Sequence, residues 1–271
     1  MTKFDMGAAW DDSIVLLRSH LPLTATIAAV FIFLPNLVLS WFGPVPIEPA
    51  AGASMDQVMA VFRQSMGEIL PYQLLISVIG AIGGVGVLRL WLSRTGTSVG
   101  DALMFALRMI PTMVAVQIVL FVTLALAVFL LFLPGIAIGG GGGIALVALG
   151  LLGFLGLAAY FWGRLSVISP IIADRTVYNP LAAIQESLVL TKGNGWRIFL
   201  FMFLVVLVFL IAALFIGGMV GVVAGWAGGA GRMVTGLVEA VVAGIGGLVS
   251  VAVSAAAYRQ LALRTSSDVF K

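Results

Sequence analysis

Residues 196–216 read WRIFLFMFLVVLVFLIAALFI, a run whose only charged residue is Arg197, near its start. A helix that crosses a bilayer needs about 20 consecutive apolar residues, because hydrocarbon offers no hydrogen-bond partners to polar groups. This run satisfies the requirement in both length and composition. It therefore predicts a membrane-spanning helix.

Five other stretches have the same character, so the sequence predicts six spans. Their approximate bounds are 21–42, 71–92, 110–133, 144–162, 196–216 and 233–258. The third and fifth are the most apolar. The sixth is the weakest, because it is rich in small residues and contains Glu239.

The overall composition indicates the same class of protein. Of the 271 residues, 62% are hydrophobic and 9% are charged, whereas a soluble protein carries about 25% charged residues. The net charge of +3 is too small to indicate a nucleic-acid partner. We therefore predict an all-α polytopic membrane protein that forms a single integral membrane domain over residues 1–271.

The basic residues predict the orientation of the spans. Alternating six spans places most of them on one side, and Lys and Arg are enriched in cytoplasmic loops. Both termini are therefore predicted to be cytoplasmic. The larger set is Lys3, Arg18, Arg89, Arg94, Arg108, Arg164, Arg175, Lys192, Arg197, Arg259, Arg264 and Lys271, and the smaller is Arg63 and Arg232.

The first span has a second interpretation, a cleaved signal peptide, because small residues follow it at positions 50–53. Its apolar run is longer than that of a typical signal, and Asp5, Asp11 and Asp12 precede it. We interpret it as a retained helix.

Amphipathic stretches separate some of the spans. In residues 54–70, Ser54 and Gln57 fit a capping box and apolar residues then recur at helical spacing, so we expect a helix lying on the outer membrane surface. Residues 98–109 and 180–192 predict similar helices on the cytoplasmic side.

Those two helices have their own start and stop signals, and they belong to a repeat. The first begins at Ser98, and the second follows Asn179 and ends before Gly193. A similar segment precedes the first span. The three units of interfacial helix, outward span and return span predict a three-fold helix-hairpin pseudo-repeat.

Two groups of glycines stand out. Small residues four apart let helices pack backbone to backbone in lipid, which predicts intramolecular packing in the fifth and sixth spans. A homodimer interface and an irregular, re-entrant segment are the alternatives. The residues concerned are Gly217, Gly221, Gly225 and Gly229. The second group, five consecutive glycines at 139–143, lacks the Lys-Ser or Lys-Thr of a P-loop, and we predict a flexible hairpin loop.

Glu239 is the one acidic residue inside a predicted span. Ionisable groups within membranes are costly and often functional. It lies close enough to the start of its helix to reach the outer interface or to pair with Arg232. We interpret it as structural, and a role in transport or proton movement is the alternative.

Basic and aromatic residues lie together at the predicted cytoplasmic ends of the spans. This arrangement is typical of an anchoring belt and of sites that bind anionic lipid head groups. The candidate head-group contacts are Arg164, Lys192, Trp196 and Arg197.

No set of residues suited to catalysis, metal binding or cofactor binding can be found in the sequence. The chain has no cysteine and one histidine, His20, which excludes thiolate sites and sites needing two imidazoles. There is also no HExxH motif and no cluster of carboxylates at metal-ligand spacing. We therefore expect a protein without enzymatic activity and without a cofactor.

Two patches carry a resemblance to a known family. One runs from Tyr160-Phe-Trp-Gly-Arg164 through Pro170 to Leu190-Thr-Lys-Gly193 and Trp196-Arg197, and the other is Tyr258-Arg259-Gln260-Leu261. They resemble the membrane domain that precedes the catalytic half of some bacterial glycerophosphodiester phosphodiesterases, and related stand-alone inner-membrane proteins. The resemblance implies a multi-pass protein of the bacterial inner membrane. It carries no activity, because that family's chemistry belongs to a separate soluble domain.

The leading functional hypothesis is a non-enzymatic structural or accessory component of the inner membrane. Its expected partners are membrane lipids, including anionic ones, and a second copy or another protein. A small transporter or channel subunit is the alternative, motivated by Glu239 and the glycine-rich fifth and sixth spans. An enzyme acting on lipids is a third hypothesis.

Overall fold

The chain is an all-α polytopic membrane protein, as predicted. The computed structural model describes residues 3–44, 47, 49–50, 52–93, 96–226 and 229–269. Within these ranges the helices are α1 (Met6–Ser19), α2 (Leu21–Ala28), α3 (Leu34–Phe42), α4 (Met55–Leu92), α5 (Val99–Ile138), α6 (Gly140–Leu165), α7 (Ile168–Arg175), α8 (Pro180–Leu190), α9 (Gly195–Trp226) and α10 (Gly229–Val269), with a π-helical turn, Ala29–Phe33, joining α2 to α3.

In the described part of the chain, six helical segments are long and apolar enough to cross a membrane, which confirms the predicted number. They are the α2–α3 segment, α4, α5, α6, α9 and α10. The first, Leu21–Phe42, has the predicted bounds. Its π-helical turn precedes Pro35, which has no N–H to donate to the turn before it. The Asn36 side chain donates from Nδ2 to the Ile32 carbonyl at 2.7 Å, so this carbonyl in the π-helical turn has a hydrogen-bond partner.

The predicted surface helix over residues 54–70 is wrong as a separate element. Its capping box is present, because Ser54 and Gln57 exchange the expected hydrogen bonds. The helix then continues through Pro71 to Leu92, for 38 residues in all. A single proline removes one helical hydrogen bond, and the neighbouring residues supply no turn that would end the helix. The first half is thus an extension of the second span.

The lead-in to the third span is also continuous with its span. Ser98 caps the helix as predicted, accepting from the Asp101 amide at 3.1 Å, but α5 then runs unbroken for 40 residues. By contrast, α8 is a separate helix capped by Asn179, and it ends at Leu190, two residues earlier than predicted. The proposed repeat therefore has a separate lead-in helix only in its first and third units.

The flexible loop predicted at residues 139–143 is wrong. Gly139, with φ +64° and ψ −172°, and Gly140, with φ +56°, form the turn, and α6 begins at Gly140. A Cβ on Gly143 would collide with the carbonyl oxygen of Gly135 in α5. The glycines therefore let two helices meet closely at a tight turn, and the Gly143 amide donates to the Gly139 carbonyl at 2.8 Å.

The short helix α7 lies at the centre of the packing. Five of its eight residues are buried. Ile171 belongs to a cluster with α1, α9 and α10, and Ala173 to a cluster with α1, α4, α5 and α10. Ile168 and Ile172 belong to a third cluster, with α5 and α8. This helix, which no prediction singled out, joins most of the bundle at one end.

The helices pack much less tightly towards the opposite end. Large apolar side chains in α5, α6 and α9, such as Phe121, Leu152 and Phe215, are more than half exposed. Exposed apolar side chains along the spans fit a lipid surface, in which they meet hydrocarbon rather than water. The part of the chain with the most specific contacts is therefore the end that holds α7.

Candidate functional site

We call the end of the bundle that contains Arg89, Arg164, Arg175 and Arg259 the basic end. The short helices α1, α7 and α8 lie there, beside the ends of the spans. Long-range hydrogen bonds tie these elements together. Ser254 Oγ in α10 donates to the Ser166 carbonyl at 2.6 Å.

A network of polar side chains fixes the end of α7 against α10. The Tyr258 hydroxyl donates to Asp174 Oδ2 at 2.6 Å and accepts from Arg175 Nε at 3.1 Å. Arg175 also forms an ion pair with Glu186 in α8. Three separate elements are therefore held by one chain of charge-assisted hydrogen bonds, which are the stronger kind.

Arg89 holds α7 from the other side. Its Nη1 donates to the Ala173 carbonyl at 2.7 Å, and its guanidinium lies 4.6 Å from the ring centroid of Phe105. The carbonyl lies at the C-terminal end of α7, where helix carbonyls lack partners within the helix. Arg89 thus acts as a capping side chain supplied by α4.

Arg164, a predicted lipid contact, instead donates its hydrogen bonds to protein atoms. Its guanidinium donates to the Tyr160 hydroxyl at 3.0 Å and to the Leu188 carbonyl, and its Nε lies 3.5 Å from Thr191 Oγ1. The side chains of Ser187 and Thr191 in turn donate to the Arg164 carbonyl. Because its donors are used to hold the C-terminal end of α8, Arg164 is a structural residue.

The other three candidate contacts lie at the surface of the basic end. Lys192 is exposed, Arg197 is partly exposed, and Trp196 is 51% exposed. The Trp196 ring packs against Tyr160 and Phe199, with centroids 6.0 and 5.8 Å away. In the described part of the chain neither cation donates a hydrogen bond to protein. The three residues are close in sequence and lie at the surface of the basic end, and we call them the Lys192–Trp196–Arg197 surface patch.

A cavity of about 390 Å³ opens beside this network. It lies between α1, the end of α4, the end of α7 and the end of α10. Its polar lining comes from Ser19, His20, Trp91, Ser93, Asp174, Tyr258 and Arg259, and its apolar lining from Val15, Leu16, Leu92 and Ala262. This volume lies within the range of about 300–1,000 Å³ that is usual for small-molecule sites.

Glu239 lies at the opposite end of the bundle and does not pair with Arg232. Its Oε2 is 3.4 Å from Ser40 Oγ, while Arg232 donates to the carbonyls of Ser40 and Gly43 at 3.2 and 3.1 Å. Those carbonyls end α3, so Arg232 caps that helix. The predicted ion pair is wrong, and the Glu239 carboxyl is exposed with one long hydrogen bond.

The glycine stripe does not pack as predicted. A Cβ added at Gly217 or Gly221 would meet nothing within 4 Å, so intramolecular packing is wrong for these two. The re-entrant alternative is also wrong up to residue 226, because α9 is helical there. The surroundings of Gly225 and Gly229 lie outside the described residues. The homodimer interpretation is untested.

Close helix contacts occur instead at glycines that were not singled out. A Cβ at Gly83 would lie 2.5 Å from Phe31 Cβ, and one at Gly247 would lie 2.8 Å from Ile32 Cδ1. These two glycines let α4 and α10 approach the first span. Asp174 and Glu186 were also missed, because their partners lie far away in sequence. The adjacent charges of Asp174 and Arg175 after an apolar run were the available signal.

Known proteins offer no guide to the chemistry of these sites. Comparison with family models, with curated proteins and with solved structures gives no match to the chain. Among the described residues there is no group of three or more His, Cys, Asp or Glu side chains that could hold a metal ion. The sites must therefore be interpreted from their own geometry.

Proposed function

We propose that the chain is a non-enzymatic accessory protein of a bacterial inner membrane that binds anionic lipid head groups at its basic end. In this proposal both termini are cytoplasmic, in line with the distribution of Lys and Arg along the chain. The resemblance to the membrane domain of glycerophosphodiester phosphodiesterases supports the proposed location but adds no evidence for an activity.

The observation that carries the proposal is the contrast between cations that donate hydrogen bonds to protein acceptors and cations that do not. Arg89, Arg164 and Arg175 use their donors on protein acceptors. Lys192 and Arg197 do not, and they flank Trp196, an aromatic residue of the kind that lies at head-group level. Each basic residue near an anionic membrane surface contributes about 1 kcal/mol of attraction. Two such residues correspond to about a 30-fold preference for an anionic lipid.

The test compares lipid binding by the purified full chain and by a double variant, Lys192→Gln with Arg197→Gln. Native mass spectrometry would measure the binding of phosphatidylglycerol, which is anionic, relative to phosphatidylcholine. We expect the double variant to lose most of the preference. The charge-conserving exchange Lys192→Arg with Arg197→Lys is the matched control and should keep it. Equal binding of phosphatidylglycerol by the wild-type chain and the Gln variant would refute the proposal.

Transport remains the second candidate because of Glu239. Among the described residues its carboxyl, which lies in a span, forms no ion pair and accepts one long hydrogen bond from Ser40, so it is an ionisable group of the kind that is often functional within membranes. Reconstitution in liposomes with a pH-sensitive dye tests it. Proton or solute flux that is lost in Glu239→Gln would support transport over the accessory role. Absence of flux in both proteins would remove this candidate.

The proposed lack of enzymatic activity has its own test. The purified chain would be incubated with radiolabelled membrane phospholipids and the products separated. Turnover above that of a mock purification would overturn this part of the proposal.

A further inference from the structure

The cavity at the basic end lies at the depth of phospholipid head groups. His20 immediately precedes the first span, Trp91 and Leu92 end α4, and Tyr258 lies near the end of the last span. Val15, Ser19 and His20 are exposed, so the cavity reaches the surface. A molecule at the membrane boundary could therefore enter it without crossing the bundle.

The cavity lining carries charges of both signs. Asp174 uses Oδ2 to accept from Tyr258, and within the described ranges its other carboxylate oxygen accepts no hydrogen bond. Arg259 is 3.7 Å from Asp12, but a guanidinium has five N–H donors, so this single contact leaves several of them available. His20, Ser19 and Ser93 add neutral polar groups around these two charges.

These features favour a ligand with two opposite charges. A simple anion would lie beside the Asp174 carboxylate, and a simple cation would lie beside the Arg259 guanidinium. An apolar ligand would desolvate both charged side chains without replacing their hydrogen bonds. A group that carries an ammonium and a phosphate can pair with each.

We propose that this cavity binds a phosphoethanolamine group, with the ammonium on Asp174 and the phosphate on Arg259. The apolar wall of Val15, Leu16, Leu92 and Ala262 then lies against the adjoining glycerol and acyl carbons. The group could come from phosphatidylethanolamine in the membrane or from its water-soluble deacylated form. This site is separate from the Lys192–Trp196–Arg197 patch and does not depend on the proposed function.

The test measures binding to the purified full chain by native mass spectrometry, with phosphatidylethanolamine and phosphatidylglycerol as probes. Ser19→Trp places a large side chain at the exposed mouth of the cavity, and Ser19→Ala is its matched control. We expect Ser19→Trp to bind phosphatidylethanolamine at least about tenfold more weakly than Ser19→Ala.

The outcomes separate this site from the surface patch and separate the two sources of ligand. The double variant Lys192→Gln with Arg197→Gln should leave phosphatidylethanolamine binding unchanged. Displacement of the lipid by glycerophosphoethanolamine would support the cavity and assign the soluble source, and binding without such displacement would support it and assign the lipid. Binding of phosphatidylglycerol by the double Gln variant as tight as its binding of phosphatidylethanolamine, or equal binding of phosphatidylethanolamine by the two Ser19 variants, would overturn the proposal.

Discussion

Gly163 gives the sharpest test of how the helices are held together. It lies in α6, where a Cβ would collide with the carbonyl oxygen of Gly195 in α9 and lie 2.8 Å from both Cβ and N of Phe199. Ordinary contacts of a Cβ begin at 3.4 Å. Because the obstacles are mainly backbone atoms, no side-chain rotation can relieve them, and α6 and α9 would have to separate.

The size of the effect follows from two opposing terms. Overpacking a close contact costs about 1–3 kcal/mol, and the upper half of that range applies where backbone must move. Alanine in place of glycine inside a helix stabilises the helix by about 0.5–1 kcal/mol. Gly163→Ala should therefore lower the free energy of unfolding by about 2 kcal/mol.

Gly156→Ala is the matched control, because the same substitution in the same helix meets nothing within 4 Å. It should be neutral or stabilising by up to about 1 kcal/mol. Reversible unfolding in mixed micelles, followed by circular dichroism as the fraction of dodecyl sulfate rises, would measure both variants. If the two have the same midpoint, the close approach of α6 and α9 at Gly163 does not exist.

Three further substitutions test particular features, and Gly141→Ala is the control for the first. Gly139→Ala should destabilise the protein by about 1–3 kcal/mol, because the backbone at Gly139 adopts a conformation that is essentially restricted to glycine. Gly141→Ala meets no neighbour and should be stabilising in the same unfolding assay. Tyr258→Phe removes the donor to Asp174 and the acceptor of Arg175, and should cost about 1–3 kcal/mol, measured against wild type by the same titration. Ser54→Ala removes the cap of α4 and should cost about 1 kcal/mol, seen as faster hydrogen exchange in the first turn of α4 with unchanged exchange in α10.

The spans could be predicted because the property that defines them is local. A run of about 20 apolar residues without charges can form only one kind of element in a bilayer, and the first span was placed at its observed bounds. The capping residues Ser54, Ser98 and Asn179 were also found, since a helix N-cap depends on residues within one turn of it.

Breaks between helices were predicted where none exist, for a physical reason. The helix over residues 54–70 was predicted to be separate from the second span, and residues 139–143 were predicted to form a loop, although a break at either place would leave peptide hydrogen bonds unmade. A segment near hydrocarbon keeps those bonds inside the helix instead. The helix therefore continues through Pro71 and begins within the glycine run.

The roles of the arginines could not be predicted from one sequence, because each depends on a face and on distant partners. The sequence positions of Arg164 and Arg197 place both residues at the same end of the bundle. They do not show which surface each side chain faces. Arg164 points to acceptors in α8 that lie 24–27 residues away, whereas Arg197 lies at the surface. The Asp174–Tyr258 hydrogen bond joins residues 84 positions apart, and no local pattern encodes such a pairing.

This division of roles changes what a high count of basic residues means in a membrane protein. Association of helices in lipid gains little from the hydrophobic effect, so close packing and hydrogen bonds between helices must supply the specificity. Arg89 and Arg175 supply such bonds to α7, whose apolar residues join three buried clusters. Removing either would loosen the whole basic end and lower the proposed lipid binding indirectly. Lys192 and Arg197 donate to no protein acceptor among the described residues. Substitutions of these two cations can therefore test lipid binding without also changing the folding of the chain.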